Sequence, residues 1–317
     1  MVVFPWVIDR EESLAVLERH GALFTHISPA GTKVLPDGSV DHTPLPRAVK
    51  AAQDHGLKVF PLVTNGTFTL ETAEAILSDG TVRARAAGEL AALALDNGWD
   101  GVCLDFEGPW ALRSEYTDFV RRLCEKLQPR GRQVAIAVAA QTEHPAGSGT
   151  DATWADPYDY PALGRLVDLF IPMGYDFHGI NTPPGPVGPA WWLRQGLRHT
   201  LSCVPRGKTV LGLPLYGYRW RQRPDGGWQG EYVTYEIAEK LRREVQAPLL
   251  WDYDALSRTY SFTDEEGRLN VVHFDDVESV GRRLELIREY KLAGVAFWCL
   301  GLGDPQFWPQ LAHFLGK

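Results

Sequence analysis

The sequence predicts a closed (β/α)8 barrel, and three features support that fold. Eight short apolar segments with the length of strands alternate with helical segments along the chain. Some of these segments, such as residues 134–138, are continuous apolar runs, as expected for parallel strands that are covered on both faces. A doubly wound open sheet, the competing topology, normally has a glycine-rich phosphate turn after its first strand, and none follows Ile8.

Capping residues define the predicted helices between these strands. Asp9, with Glu12 three residues later, begins the first helix, and Gly21 ends it. Ser114 begins the helix after the fourth strand, and Pro129 ends it. The predicted strands are 2–8, 23–28, 58–63, 100–107, 134–139, 167–175, 209–215 and 295–300, and the other predicted helices are 46–55, 81–97, 191–203, 276–290 and 306–315.

The alternation is interrupted between the seventh strand and the helix at 276–290. This segment contains a helix capped by Thr234 and strand candidates at 249–252, 258–263 and 268–274, with a hairpin turn at 263–267. We therefore expect a barrel domain formed by 1–217 and 276–317, with a small α+β insertion at 218–275. The insertion would emerge at the carboxyl ends of the barrel strands, where such barrels have their active sites.

Composition excludes several classes of protein. The 44% of apolar and 23% of charged residues are typical of a globular enzyme, and a net charge of −8 argues against nucleic acid as the main partner. No apolar window is long enough for membrane insertion. The four cysteines lack CxxC spacing, so zinc binding is not predicted, and we expect neither a metal nor a cofactor.

Residues 100–107, which read DGVCLDFE, are the most informative segment. Successive side chains of a strand point to opposite faces, so one face carries only apolar side chains while the other carries Cys103, Asp105 and Glu107. Buried charge is costly unless it is paired, so these carboxylates form either an interior salt bridge or a catalytic pair. A carboxylic acid beside a carboxylate suits cleavage of glycosidic bonds.

This octad resembles the DGxDxDxE signature of glycoside hydrolase family 18, the chitinase family, with Cys103 in place of the middle aspartate. Three further segments resemble the family in the expected order: 173–176 (MGYD), 211–217 (LGLPLYG) and 294–301 (GVAFWCLG). Segments 251–254 (WDYD) and 272–276 (VHFDD) resemble the bacterial branch of spore-cortex and cell-wall hydrolases. The resemblance implies association with the cell wall or the spore.

The resemblance also implies retaining, substrate-assisted hydrolysis of glycans that contain β-linked N-acetylglucosamine. Glu107 would protonate the leaving oxygen, Asp105 would orient the acetamido group, and Tyr175 would hydrogen-bond the acetamido oxygen. The expected substrate-binding residues are Asp176, Trp298, Met173, Tyr216 and Gln141.

Cys103 is the clear departure from the family pattern. A thiol is a poor hydrogen-bond partner for the neighbouring aspartate, and no base is placed to make it a nucleophile. We therefore expect Asp105 to titrate differently from its counterpart in the family.

Two rival functions remain open at this point. A non-catalytic chitinase-like carbohydrate-binding protein keeps the barrel but typically loses the acid glutamate, whereas Glu107 is present here. A protein-binding or inhibitor barrel would need an exposed apolar patch. The sequence does not distinguish chitin, peptidoglycan and N-glycan substrates, or endo from exo action.

We expect a monomer with an oligosaccharide substrate. No charged leader with a cleavage site precedes the first strand, so either the protein is not exported by that route or its leader is missing from this sequence. The compartment stays open.

Overall fold

A computed structural model describes residues 1–108, 112–142 and 158–317. In these ranges, an 11-stranded, mostly parallel sheet curls into the predicted (β/α)8 barrel. Its strands are β1 (Val2–Val7), β2 (His26–Pro29), β3 (Thr32–Val34), β4 (Val40–His42), β5 (Lys58–Val59), β6 (Leu62–Thr64), β7 (Gly101–Asp105), β8 (Gln133–Ala139), β9 (Leu169–Met173), β10 (Val210–Pro214) and β16 (Gly294–Trp298).

The barrel closes through its third strand, which is split into β5 and β6. The first half, β5, pairs in parallel with β2, and the second half, β6, pairs in parallel with β7. On the far side of the ring, β1 lies between β2 and β16. All eight predicted barrel strands are therefore present, and their carboxyl ends meet at one end of the barrel.

The helices lie outside this ring. None of them, within the part of the chain described, is long and apolar enough to cross a membrane. The first helix begins at Glu11 with Arg10 at its N-cap position, so the predicted Asp9 cap is wrong, and Ser114 lies inside its helix. The helices are α1 (Glu11–His20), α2 (Pro46–His55), α3 (Leu70–Leu77), α4 (Gly80–Asp96), α5 (Arg113–Leu127), α6 (Tyr160–Leu166), α7 (Ala190–Cys203), α8 (Tyr235–Glu244), α9 (Val277–Glu289) and α10 (Phe307–Phe314).

The two faces of the barrel strands contribute to two different apolar clusters. The larger lies between strands and helices and includes Val102, Leu104 and Phe106. The smaller fills the barrel lumen and includes Cys103. The alternation predicted for residues 100–107 is therefore confirmed, and it directs the next side chain of the inner face, Asp105, into the lumen.

A second, antiparallel sheet follows β10, and its strands in sheet order are β12 (Trp228–Thr234), β11 (Tyr216–Gln222), β15 (Leu269–Phe274), β14 (Ser257–Thr263) and β13 (Leu250–Asp252). The sequence predicted the three later strands and the helix capped by Thr234, which accepts the Ile237 N–H, but it missed the hairpin of β11 and β12. The division of the chain into two domains stays a prediction.

Candidate active site

A cavity of about 810 Å³ lies at the carboxyl ends of the barrel strands. A second, shallower depression of about 430 Å³ at 201–207 lies at the amino end of β10 and has no carboxylate in its lining. Of the predicted site residues, only Tyr216 is not part of the cavity wall. The others line it: Asp105, Glu107, Gln141, Met173, Tyr175, Asp176 and Trp298.

Asp105 and Glu107 bring two carboxyl groups into this cavity. Asp105 is buried, and burial raises its pKa to about 7. Burial and the charges of Asp105 and Asp176 raise the pKa of Glu107 well above its usual value. Neither carboxyl group is paired with a cation from the described ranges, so no interior salt bridge is seen within them. This environment favours the protonated form of Glu107, which is the form that can act as an acid.

A side chain that sequence reasoning missed holds the backbone of Glu107. Asn65, directly after β6, is completely buried. Its Oδ1 accepts the Glu107 N–H at 3.0 Å, and its Nδ2 donates to the Glu107 carbonyl at 2.9 Å. The hydroxyl of Tyr158 donates to the carbonyl of the preceding residue, Phe106, at 2.7 Å.

Asp176 is the third carboxyl group of the cavity. Its backbone has a positive φ of 58°, uncommon for a residue other than glycine. The hydroxyls of Tyr216 and Tyr218 both donate to its Oδ1, at 2.5 and 2.8 Å. Burial raises the pKa of Asp176, and the two hydrogen bonds offset only part of that rise.

Tyr216 lies outside the cavity wall. Its side chain is only 1% exposed and donates to Asp176. Tyr175 lies next to it, with ring centroids 6.2 Å apart, and lines the cavity. Tyr218 also lines the cavity, and the sugar contact of Tyr216 stays a prediction.

Trp298 and Gln141 form parts of the wall. Trp298 is half-buried at the end of β16 and packs edge-on against Trp6, with centroids 5.8 Å apart. Gln141 donates from Nε2 to the Tyr158 carbonyl at 3.0 Å, and its Oε1 lies 3.2 Å from His199 Nε2. These contacts hold Gln141 beside the cavity.

The described residues contain no cluster of potential metal ligands. No three side chains of the metal-binding types His, Cys, Asp and Glu are grouped as ligands in 1–108, 112–142 or 158–317.

Comparison with known families adds the deciding observation. The family model described as Glycosyl hydrolases family 18 matches residues 18–303. The chain belongs to this family. The resemblance that the sequence indicated is confirmed over nearly the whole barrel.

Relatives within family 18 point to its bacterial spore enzymes. YdhD of Bacillus subtilis (strain 168), named as a sporulation-specific glycosylase, is 31% identical over 281 residues, covering 88% of this chain and 64% of YdhD. The cortical fragment-lytic enzyme of the same organism is 28% identical over 282 residues, covering 87% of this chain and 64% of that protein. The chain thus spans just under two thirds of the length of these relatives.

A solved structure supports the same branch of family 18. The spore cortex-lytic enzyme SleL of Bacillus megaterium QM B1551 superposes with a TM-score of 0.86 at 26% identity, covering 98% of this chain and 73% of SleL. The predicted likeness to spore-cortex and cell-wall hydrolases is confirmed.

The thiol of Cys103 occupies the family's middle aspartate position in the lumen. Burial and the charge of Asp105 raise the pKa of this thiol, so it stays protonated. Trp6 Nε1 and Ser28 Oγ approach the sulfur, yet neither forms a regular hydrogen bond with a described residue. The Oδ1 atom of Asp105 is likewise buried without such a partner. The lumen below Asp105 is therefore poor in hydrogen bonds.

Proposed function

We propose that this chain is a retaining glycoside hydrolase that cleaves glycans with β-linked N-acetylglucosamine by substrate-assisted catalysis. The observation that carries the proposal is the side-by-side placement of Asp105 and Glu107 in the cavity, with the pKa of Glu107 raised well above its usual value. A general acid must stay protonated until it donates to the leaving group, and the raised pKa of Glu107 favours its protonated form.

In the first step, the acetamido oxygen of the sugar attacks its own anomeric carbon while Glu107 gives its proton to the leaving glycosidic oxygen. The bond between the anomeric carbon and that oxygen breaks, and a cyclic oxazolinium ion forms. Ionised Asp105 lies beside Glu107 and offsets the positive charge of this ion. Tyr175, whose burial keeps its phenol protonated by raising its pKa, donates to the acetamido group.

In the second step, Glu107 is a carboxylate and takes a proton from water. The water oxygen attacks the anomeric carbon from the side that the leaving group vacated, and the acetamido group is restored. Two inversions at one carbon give net retention. Asp176 binds sugar hydroxyls, and Trp298 offers an aromatic face to the apolar side of the sugar ring.

The proposal extends to the insertion at 218–275, which forms one wall of the sugar cleft. Trp220 Nε1 donates to the Gly179 carbonyl at 3.0 Å. Gly230 lets the backbone of Ile180 approach so closely that an added Cβ would lie 2.5 Å from its carbonyl oxygen. Because Gly179 and Ile180 both line the cavity, the second sheet supports the loop that closes this side.

Peptidoglycan is the substrate we favour, because the relatives include cortical fragment-lytic enzymes. The test incubates the protein with N-acetylglucosamine oligomers and with purified peptidoglycan and measures new reducing ends and product masses. Hydrolysis that Glu107→Gln abolishes supports the proposal. Binding of both glycans without any hydrolysis would support the rival carbohydrate-binding function.

A further inference from the structure

The pairing of β6 with β7 stops two residues before the acid. The last partners are Thr64 and Asp105, and β7 ends at Asp105, so Glu107 lies outside the regular sheet. A parallel neighbour strand would offer it alternating N–H and carbonyl groups. Beyond Thr64, the side-chain amide of Asn65 takes that place, since it offers one acceptor and one donor to the same residue.

We propose that Asn65 is a positioning residue for Glu107, whose two backbone hydrogen bonds fix the direction in which the acid reaches the glycosidic oxygen. This inference rests on the proposed function and deepens it. Asn65 is not part of the cavity wall, so it acts through Glu107 and not on the sugar.

Because Asn65 is buried, the loss of these hydrogen bonds would be energetically costly. Asn65 is 0% exposed, so its amide cannot exchange its partners for water, and a buried amide left without partners is costly. Tyr158 holds the Phe106 carbonyl from the other side of the chain. The two peptide groups that flank Glu107 are therefore held by side chains rather than by a neighbouring strand. A displacement of about 1 Å at a reacting group can cost about a hundredfold in rate.

Only asparagine satisfies both backbone groups at every pH. Leucine has its shape but no polar atom, and ionised aspartate accepts the Glu107 N–H but turns an oxygen toward the Glu107 carbonyl. Protonated aspartate restores the missing donor. The negative charges of Asp105 and Asp176 already act on Glu107, the residue that Asn65 contacts, and such charges favour the protonated form of a new carboxyl group.

The experiment compares Asn65→Ala and Asn65→Asp with a matched control, Asn270→Ala. Asn270 is also completely buried, accepts from Arg219 Nε at 3.0 Å and donates to the Arg268 carbonyl at 3.0 Å, but it lies in the second sheet. Each variant is characterised by circular dichroism, a thermal melt, and kcat and KM on an N-acetylglucosamine oligomer across the pH range.

For Asn65→Ala, we expect kcat to fall at least about tenfold with KM nearly unchanged. For Asn65→Asp, we expect kcat relative to wild type to recover as pH falls from about 8 to about 5, because the protonated acid donates again. For Asn270→Ala, we expect a lower melting temperature with kcat within about twofold of wild type.

Three results would overturn the inference. The first is folded Asn65→Ala with wild-type kcat, and the second is equal loss of activity in Asn270→Ala at equal loss of stability. The third is a ratio of kcat between Asn65→Asp and wild type that does not change with pH, and this isosteric variant decides the matter if Asn65→Ala does not fold.

Glu107→Gln, measured alongside, distinguishes a failure of the proposed function from a failure of the inference about Asn65. A wild-type protein that hydrolyses no glycan, or a fully active Glu107→Gln, overturns the proposed function and with it this inference. Wild-type activity that depends on Glu107 but not on Asn65 overturns the inference alone.

Discussion

Cys103 and Asp105 face the barrel lumen from the same strand, and the buried Oδ1 of Asp105 has no hydrogen-bond partner among the described residues. The donors of Trp6 and Ser28 beside the thiol are similarly without regular partners. A carboxylate at position 103 would fill this gap, because it could accept from both donors and share a proton with Asp105.

Cys103→Asp should therefore move the alkaline limb of the kcat/KM profile to higher pH. The added negative charge favours the protonated form of neighbouring carboxyl groups, so Glu107 keeps its proton to a higher pH. Cys103→Ser, the control, should fold and keep activity within about tenfold of wild type, with an unmoved limb. An unmoved limb in Cys103→Asp contradicts the argument, and complete inactivity of folded Cys103→Ser would mean that the thiol has a chemical role.

Glu107→Gln should lower kcat by about 100- to 10,000-fold, the usual contribution of a general acid, while sugar binding stays largely intact. Only the transferable proton is lost, since glutamine has the same shape. Steady-state kinetics and calorimetric binding of an oligomer measure the two effects separately. Residual activity within about tenfold of wild type would remove Glu107 from the acid role.

Asp105→Asn should remove a pH dependence of stability. The folded-state pKa of Asp105 is about 7, above its usual value of 3.8, so the protonated form stabilises the fold at low pH and this contribution is lost as pH rises from about 4 to about 7. The variant should therefore gain up to a few kcal/mol in free energy of unfolding relative to wild type at pH 8, and the gain should vanish near pH 4. Denaturant unfolding at the two pH values measures it; a gain of equal size at both would contradict the pKa assignment.

Hydrolysis should require the 2-acetamido group and retain the anomeric configuration, because that group is the nucleophile in the proposed mechanism. Oligomers without it should not be cleaved, and a thiazoline analogue of the intermediate should inhibit competitively. An NMR time course started with a β-linked oligomer should show the β-anomer first. Initial release of the α-anomer would rule out the double displacement.

Gly230→Ala should weaken binding of long oligosaccharides more than of short ones. The new methyl group would collide with the Ile180 carbonyl and displace the loop that lines one side of the cavity. KM should rise several-fold for a hexamer and little for a dimer. Gly207→Ala, where no atom lies within 4 Å of the added Cβ, is the matched control. Equal changes for both lengths would argue against a wall of the cleft at this position.

The barrel and most of the cavity could be predicted because their signals are local. Each barrel strand is an apolar run, and each predicted cavity residue stands at or near the end of one, so the fold brings them together. Asn65 carries no such signal: it is a single polar residue after a strand, and its partner is the backbone of Glu107, 42 positions away. No residue pattern marks a hydrogen bond to a peptide group.

The missed hairpin has a different cause. The alternating aromatic residues Tyr216, Tyr218 and Trp220 are typical of a strand with one buried face. However, the first of them, Tyr216, lies within the segment that resembles the seventh barrel strand of the family, and the two strands are separated by Leu215 alone. The predicted seventh strand, 209–215, ends at Leu215, and no strand was predicted directly after it.

The hydrogen bonds of Asp176 have a consequence for the design of chimeras between this chain and its relatives. The two phenol donors of Asp176, Tyr216 and Tyr218, are the first and third residues of β11, so the second sheet begins with residues that serve the cavity. A chimera that takes this segment from a relative must therefore be joined after Tyr218. A junction at Gly217 would keep Tyr216 but make the second donor of Asp176 depend on the incoming sequence, so the recombined protein would keep its barrel while the hydrogen bonding of this cavity carboxyl group changed.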